Sequence, residues 1–299
     1  MYCLIISNLR RKDTIFYLYL CGYRDIRANV IKKTLLFILF FVFAVSVLAQ
    51  NTVQKADYSK SRRAVRLVAY NVGVFSKYMG DSMLDVASMM QELDADAVAV
   101  CELDSCNRRH QAYQLEEFAA ALGGWDYRFG AAMQWNGGSY GGGVVTDRRI
   151  NRSYIVELPQ CGGYEPRACV VVETKDYVMA EVHLDHSSDE VRLEQIRLLT
   201  DELMRLYGRS RKPVFLCGDF NAEPGSMTLS KLSEDWVVLS EQEATYPSGN
   251  PRKCIDYIMV LKNRARYDVL KTAVCTEFES ADVTQTSDHL PVFVDIRLR

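Results

Sequence analysis

A series of short apolar runs constrains this chain most strongly. They cover residues 65–71, 97–101, 142–146, 168–173, 177–184, 214–217, 255–261 and 292–296. Runs of this length bounded by turn-forming residues read as strands. Helical spacing is confined to three places: Met83, Val86, Ala87, Met90 and Leu93; residues 117–122; and a long amphipathic stretch over 189–207. Because strands outnumber helices and several follow one another directly, the pattern predicts a layered α/β or α+β domain with mixed sheets. No internal repeat or low-complexity tract interrupts it.

Residues 1–49 stand apart from that domain. Lys32 and Lys33 precede an apolar run over 35–48 that ends Val47-Leu48-Ala49, with small or apolar residues where a signal peptidase accepts them. The run falls short of the ~20 residues a membrane-spanning helix needs. We therefore expect an N-terminal extension and signal peptide over 1–49, a polar linker over 50–63 and one folded domain over 64–299. The location expected is secreted or periplasmic, and an uncleaved signal anchor is the alternative that would bring the protein to a membrane. Residues 1–29 are long for the front of a signal peptide, as if the start were placed early.

Residues 1–49 hold seven Lys/Arg and two Asp/Glu, so the remainder carries 29 positive and 36 negative side chains, a net charge of −7. A general nucleic-acid binder presents the opposite balance. Seven cysteines remain: Cys101, Cys106, Cys161, Cys169, Cys217, Cys254 and Cys275. The number is odd, and Cys101 and Cys217 sit inside apolar runs, which argues against a disulfide framework; Cys161 with Cys169 is a conceivable single pair. No cysteine or histidine spacing suits structural zinc. Gly137-Gly-Ser-Tyr-Gly-Gly-Gly143 lacks the Lys-Ser/Thr of a phosphate-binding loop and precedes a strand, so it reads as a flexible turn feeding that strand.

Polar residues recur where the apolar runs end. Asn71, Glu102, His183, Asp219 with Asn221, and Asp288 with His289 all do so. Any one of them alone is more simply a turn residue or helix cap. Together, Glu102, Asp219 and Asp288 with the neutral oxygens of Asn71 and Asn221 form a donor set suited to a hard cation such as Mg²⁺, Mn²⁺ or Ca²⁺. Three of the four histidines, His183, His186 and His289, lie in the same segments. A metal, a carboxylate and histidines are what phosphate-ester hydrolysis requires for charge neutralisation, an oriented water and a leaving-group proton.

The ordered segments Ala69-Tyr-Asn71, Cys101-Glu102-Leu, His183-Leu-Asp-His186, Gly218-Asp-Phe-Asn-Ala-Glu-Pro224, Ile255-Asp-Tyr-Ile258 and Ser287-Asp-His-Leu-Pro-Val292 resemble the motifs of the endonuclease/exonuclease/phosphatase superfamily, related to deoxyribonuclease I. The resemblance runs from about Arg66 to Ile296 and implies a four-layer sandwich of two mixed β-sheets flanked by helices. It also implies a divalent-metal-dependent hydrolase, Mg²⁺ first and Mn²⁺ or Ca²⁺ after it, cleaving a phosphate ester by attack of water. Glu102 would be the main metal carboxylate, assisted by Asn71 and Asp288. Asp219 would orient the attacking water and Asn221 hold a phosphate oxygen. His289, oriented by Asp256, would act as base or charged phosphate contact, and His183 would serve the leaving group or the phosphate. Arg167, in Glu165-Pro-Arg-Ala, matches a phosphate-contacting arginine, with surface solvation as the alternative. His186 reads as structural, capping or pairing with Arg192. Thr146-Asp147-Arg148 departs from the family pattern of a small polar residue followed by arginine.

The same resemblance covers nucleases, lipid phosphodiesterases, and sugar or inositol phosphatases. The acidic balance disfavours nucleic acid, Pro251-Arg-Lys-Cys-Ile-Asp256 lacks the pattern of inositol polyphosphate phosphatases, and no long aromatic insertion for membrane docking is present. A monomeric phosphodiesterase or phosphatase is expected. The rival from another class, a catalytically silent binding module, predicts a missing metal or histidine position, and none is missing.

Overall fold

Each apolar run expected as a strand is one. The computed structural model describes residues 56–299, which form one compact unit; the leader read over 1–49 and the start of the linker lie outside the described residues. In chain order the elements are β1 (Val65–Asn71), α1 (Met83–Glu92), β2 (Ala97–Ser105), α2 (Gln114–Ala121), β3 (Asp126–Trp135), β4 (Gly138–Thr146), β5 (Arg152–Leu158) and β6 (Arg167–Glu173). There follow β7 (Val178–His183), α3 (Asp189–Tyr207), β8 (Val214–Asp219), α4 (Met227–Leu232), β9 (Trp236–Val238), β10 (Asp256–Leu261), β11 (Tyr267–Val274), α5 (Val283–Thr286) and β12 (Val292–Leu298).

The strands build two six-stranded sheets, β11-β12-β1-β2-β4-β3 and β5-β6-β7-β8-β10-β9. Each contains one parallel pair, β1 with β2 and β7 with β8, and in each case a helix, α1 or α3, makes the crossover that parallel pairing requires. All other neighbours are antiparallel. The fold is thus the mixed two-sheet sandwich with helices outside that the sequence implies.

Period-two alternation in the second sheet decides which side chains reach the space between the sheets. Val178, Ala180 and Val182 of β7, Val214 and Leu216 of β8, and Tyr257 and Met259 of β10 pack under α3 and α4 with Ile196, Leu199, Leu203 and Leu229. Their alternates, Met179, Phe215, Cys217, Ile258 and Val260, face the first sheet. Helix α3 starts where Ser188 accepts a hydrogen bond from the Val191 N–H, with Asp189 and Glu190 in its positive first turn.

Three expectations need correction. Residues 56–63 are docked rather than free: the Tyr58 ring packs 6.0 Å from Phe278 and from Phe293, and Lys60 Nζ lies 2.6 Å from Asp96. The glycine-rich stretch turns at Asn136-Gly137, both with positive φ, but Gly141, Gly142 and Gly143 are buried inside β4. Cys161 and Cys169 do not pair: Cys161 is exposed in the β5–β6 connection and Cys169 is fully buried on β6, both as free thiols. No helix among the described residues is long and apolar enough to cross a membrane.

Candidate active site

One row across the second sheet sets the site. His183 at the end of β7 is the register partner of Asp219 at the end of β8, and Asp219 is the partner of Asp256 at the start of β10. In the alternation just described, all three fall on the face turned to the first sheet. There, β1 ends at Asn71, paired with Cys101 of β2. Beyond Cys101 the β2–β4 register slips by a β-bulge, and Glu102 within it has φ +59°. The bulge re-aims Glu102 from the strand's alternation into the cleft. A left-handed backbone at a non-glycine residue is strained and persists where the surroundings enforce it.

His289 arrives on the segment before β12. Ser287 Oγ donates to the Asn71 carbonyl at 2.6 Å and accepts the His289 N–H at 3.2 Å, which ties this segment to the end of β1. The imidazole Nδ1 lies 2.9 Å from Asp256 Oδ2 and its Nε2 lies 3.7 Å from Asp219 Oδ2. Burial by itself would lower the His289 pKa, but the carboxylates of Asp256 and then Asp219 outweigh it and hold it at about 10. His289 is therefore an imidazolium at neutral pH. Burial pushes the Asp219 carboxyl above the ordinary range, with the Asp256 charge acting in the same direction and His289 opposing it. Thr245 Oγ1 donates to Asp256 Oδ2 at 2.5 Å, fixing that carboxylate from behind.

His183 is in the opposite state. Its pKa is held well below the ordinary value by burial and by the neighbouring Arg167 guanidinium. Arg167 Nη1 lies 3.2 Å from His183 Nδ1, and since a guanidinium can only donate, Nδ1 accepts and Nε2 carries the hydrogen. That N–H faces Asp219 Oδ2 at 3.5 Å. Arg167 is buried, so the solvated reading of it is corrected.

The remaining expected residues converge on the same cleft. Asn71 Nδ2 donates to Glu102 Oε1 at 3.0 Å and Asp219 Oδ2 at 3.2 Å, while Asn71 Oδ1 accepts the Gly73 N–H. In this arrangement Asn71 bridges the two carboxylates as a donor. The Asn221 N–H caps Asp219 Oδ1 at 2.8 Å, and its amide donates to the Leu184 carbonyl at 3.1 Å. Asp288 Oδ2 is 2.7 Å from Lys77 Nζ, and its Oδ1 is buried with no hydrogen-bond partner.

That orphaned oxygen and the partly exposed Glu102 carboxylate line the same cleft and are the donor type a hard cation takes. Glu102 and Asp288 fit such an ion. Asp219, Asp256 and His289 also offer ligand atoms within 4.8 Å of one another, a possible metal-binding group. An imidazolium hydrogen-bonded to Asp256 makes this second set a proton-sharing unit as it stands.

The cleft has a volume of about 650 Å³, and its walls add Lys77, Tyr140, Glu165, Tyr246 and Lys253, which the sequence reading did not single out. Lys77, Tyr246 and Lys253 sit on loops and Tyr140 within β4, while Glu165 stands just ahead of Arg167; Ser287 opens the motif that carries Asp288 and His289, whereas Thr245 lies between motifs where nothing marks it. His186 does not pair with Arg192. Its ring stacks edge-on with Tyr164 at 5.3 Å, and Arg192 bonds Asp189 and the Asp185 carbonyl. Thr146 bonds Tyr177 and the Asp96 carbonyl at the far end of β4, away from the cleft.

The chain belongs to the Endonuclease/Exonuclease/phosphatase family, whose model matches residues 68–289. Family and site together define a phosphoester hydrolase. Among solved structures it is similar to the mannosyl-6-phosphatase of Bacteroides thetaiotaomicron, with TM-score 0.64 and 19% identity over 78% of this chain and 99% of that one. An endonuclease/exonuclease/phosphatase from Bacteroides vulgatus gives TM-score 0.65 and 17% identity over 79% and 99% of the two chains. The human Nocturnin catalytic domain, solved with a bound sulfate anion, gives 0.59 and 18% over 79% and 94%. At these identities the likeness is one of fold. No curated protein sequence matches the chain.

Proposed function

We propose that this protein is a divalent-metal-dependent hydrolase of small phosphate esters, acting by attack of water. The observation that carries this is the pair of histidines flanking Asp219 Oδ2, His183 Nε2 at 3.5 Å and His289 Nε2 at 3.7 Å, in opposed states: His289 held charged by Asp256 and Asp219, His183 held neutral by burial and by Arg167. Asp219, its pKa raised by burial, takes the proton of the attacking water. His289 and Arg167 supply positive charge to the phosphoryl oxygens as negative charge develops, the neutral His183 donates its Nε2–H to the same group, and as the P–O bond to the leaving group breaks, that oxygen takes a proton from solvent water. A cation held by Glu102 and Asp288 adds Lewis-acid charge stabilisation when bound; Mg²⁺ suits the oxygen donors, as do Mn²⁺ and Ca²⁺.

The cleft supports a small, hydroxyl-bearing leaving group. Its volume falls within the range of small-molecule sites, and beside Tyr140 and Tyr246 its lining includes the polar side chains of Glu165, Arg192, Glu223, Ser226 and Lys253. Such groups suit hydroxyls, not acyl chains, and the net charge of −7 outside residues 1–49 weighs against a nucleic-acid polymer. The leader segment supports a secreted or periplasmic location.

The test uses metal-stripped protein on p-nitrophenyl and bis-p-nitrophenyl phosphate with Mg²⁺, Mn²⁺ or Ca²⁺ restored, followed by sugar phosphates, sphingomyelin, DNA and RNA. Restored turnover that is lost in Glu102→Ala is expected. Activity surviving both EDTA and that substitution would sink the reading.

A further inference from the structure

Behind the wall of the cleft made by Tyr140, Arg167 and His183 lies a second cavity of about 10 Å³, backed by Gly141, Gly142 and Glu181. That is room for about one water molecule. Two buried polar atoms on its walls have no hydrogen-bond partner, the Arg167 Nε donor and a carboxyl oxygen, Glu181 Oε2. Arg167 is 4% exposed and Glu181 1%. Orphaned buried groups are costly, and a water, which both donates and accepts, can bridge a guanidinium N–H and a carboxyl oxygen around one small cavity, whether or not that carboxyl carries a proton.

The surroundings hold the Glu181 carboxyl in place. Cys101 Sγ donates to its Oε1 at 3.2 Å, and a Cβ at position 142 would lie 2.2 Å from that oxygen. Gly142, unexplained as a turn residue, is the space this carboxyl occupies. From Arg167 a relay of contacts continues to the site through His183 Nδ1 at 3.2 Å and from His183 Nε2 to Asp219 at 3.5 Å.

We propose that Glu181 is a positioning residue: with one water in this cavity it fixes Nε of Arg167, and so aims the guanidinium and the His183 tautomer at the phosphate. The arrangement rests on the phosphate-ester reading for what Arg167 and His183 contact. A carboxyl that served only to fill space would be replaced without loss by an apolar residue of similar size.

The test combines a wild-type crystal structure showing ordered solvent with kinetics and inorganic-phosphate affinity of Glu181→Leu and Glu181→Gln in the metal-loaded protein. A water within hydrogen-bond distance of both Arg167 Nε and Glu181 is expected. Glu181→Leu should raise KM and weaken phosphate binding about 10-fold with a smaller change in kcat and no loss of Tm, whereas Glu181→Gln, which keeps an acceptor for the water, should stay within about 3-fold of wild type. A dry cavity, or a Leu variant with unchanged KM and phosphate affinity, overturns the proposal. Should the Leu variant fail to fold, the wild-type solvent and the Gln variant decide. If the wild type hydrolyses no phosphate ester, the functional reading fails separately, while the bridging water and phosphate affinity still judge Glu181.

Discussion

Asp256 and Asp219 are register partners across β10 and β8, and His289 sits between their carboxylates, 2.9 Å from one and 3.7 Å from the other. Neither carboxylate is near the other in sequence, and the histidine comes from the opposite sheet's edge of the cleft. The charge state of His289 is a property of this sandwich.

Removing the Asp256 charge should expose that dependence. His289 has a raised pKa, so its charged form persists through neutral pH and is lost as pH rises through about 10. In Asp256→Asn the alkaline limb of the rate profile should move to lower pH, with kcat reduced ~10²-fold. His289→Ala should lower turnover at least ~10²-fold with the fold intact by circular dichroism. An unmoved alkaline limb in Asp256→Asn would show that His289 is not the titrating group.

Glu102, the proposed cation ligand, sits at a strained position. With φ +59° in the bulge of β2, glycine there relieves the left-handed penalty of ~1–2 kcal/mol, less the ~0.5–1 kcal/mol that glycine costs in the unfolded chain. Glu102→Gly should therefore be no less stable than wild type in thermal unfolding, yet inactive. A large drop in Tm would show that the carboxylate supports the fold itself.

Glu181 predicts a pH-dependent stability. Burial raises its carboxyl from 4.5 to about 8, so the folded state holds a proton that the unfolded state releases earlier. Its contribution is fully present below about 4.5 and declines as pH rises toward about 8. Relative to wild type, Glu181→Gln should gain Tm steadily between pH 5 and pH 8, and a constant difference would refute the buried acid's role.

Lys77 stands beside the proposed cation site, its Nζ 2.7 Å from Asp288. An ammonium there competes with a divalent ion for the same carboxylate. Lys77→Met should lower the metal concentration needed for half-maximal activity several-fold. A raised substrate KM at unchanged metal requirement would instead make Lys77 a phosphate contact.

Far from the cleft, the Arg66 guanidinium makes two bonds to Asp295 at 2.7 and 3.0 Å, bonds the Tyr58 and Leu93 carbonyls, and lies 3.9 Å over the Phe293 ring. Both partners are fully buried. Arg66→Met strands the Asp295 charge and should cost ~3–5 kcal/mol in denaturant unfolding, leaving the kinetic constants of the folded fraction unchanged.

The strands legible in the sequence are β1, β2, β4, β6, β7, β8, β10 and β12, the interior strands of both sheets; those that escaped are β3, β5, β9 and β11, the four edges. Interior strands are covered on both faces and read as continuous apolar runs, whereas the edge strands β3, β5 and β11 carry charges such as Arg128, Arg152 and Lys271 that blunt further pairing and erase the pattern, and β9 is only three residues long. Helix α2 begins at Gln114, ahead of the expected 117, because Gln114 is buried and bonds the Asp104 N–H and Val74 carbonyl through its side chain. A polar residue spent on tertiary contacts leaves no apolar signal.

By itself the sequence determined the family, the interior strands and most of the polar residues that meet in the cleft, because strand periodicity and short polar motifs are local properties. Tertiary structure alone decided their states. That His183 is neutral and His289 charged, that Asn71 donates to carboxylates, and that Glu181 and Gly142 share one space follow from burial and from charges brought near by the pairing of distant strands. Neither burial nor the proximity of distant charges is written in the residues beside them.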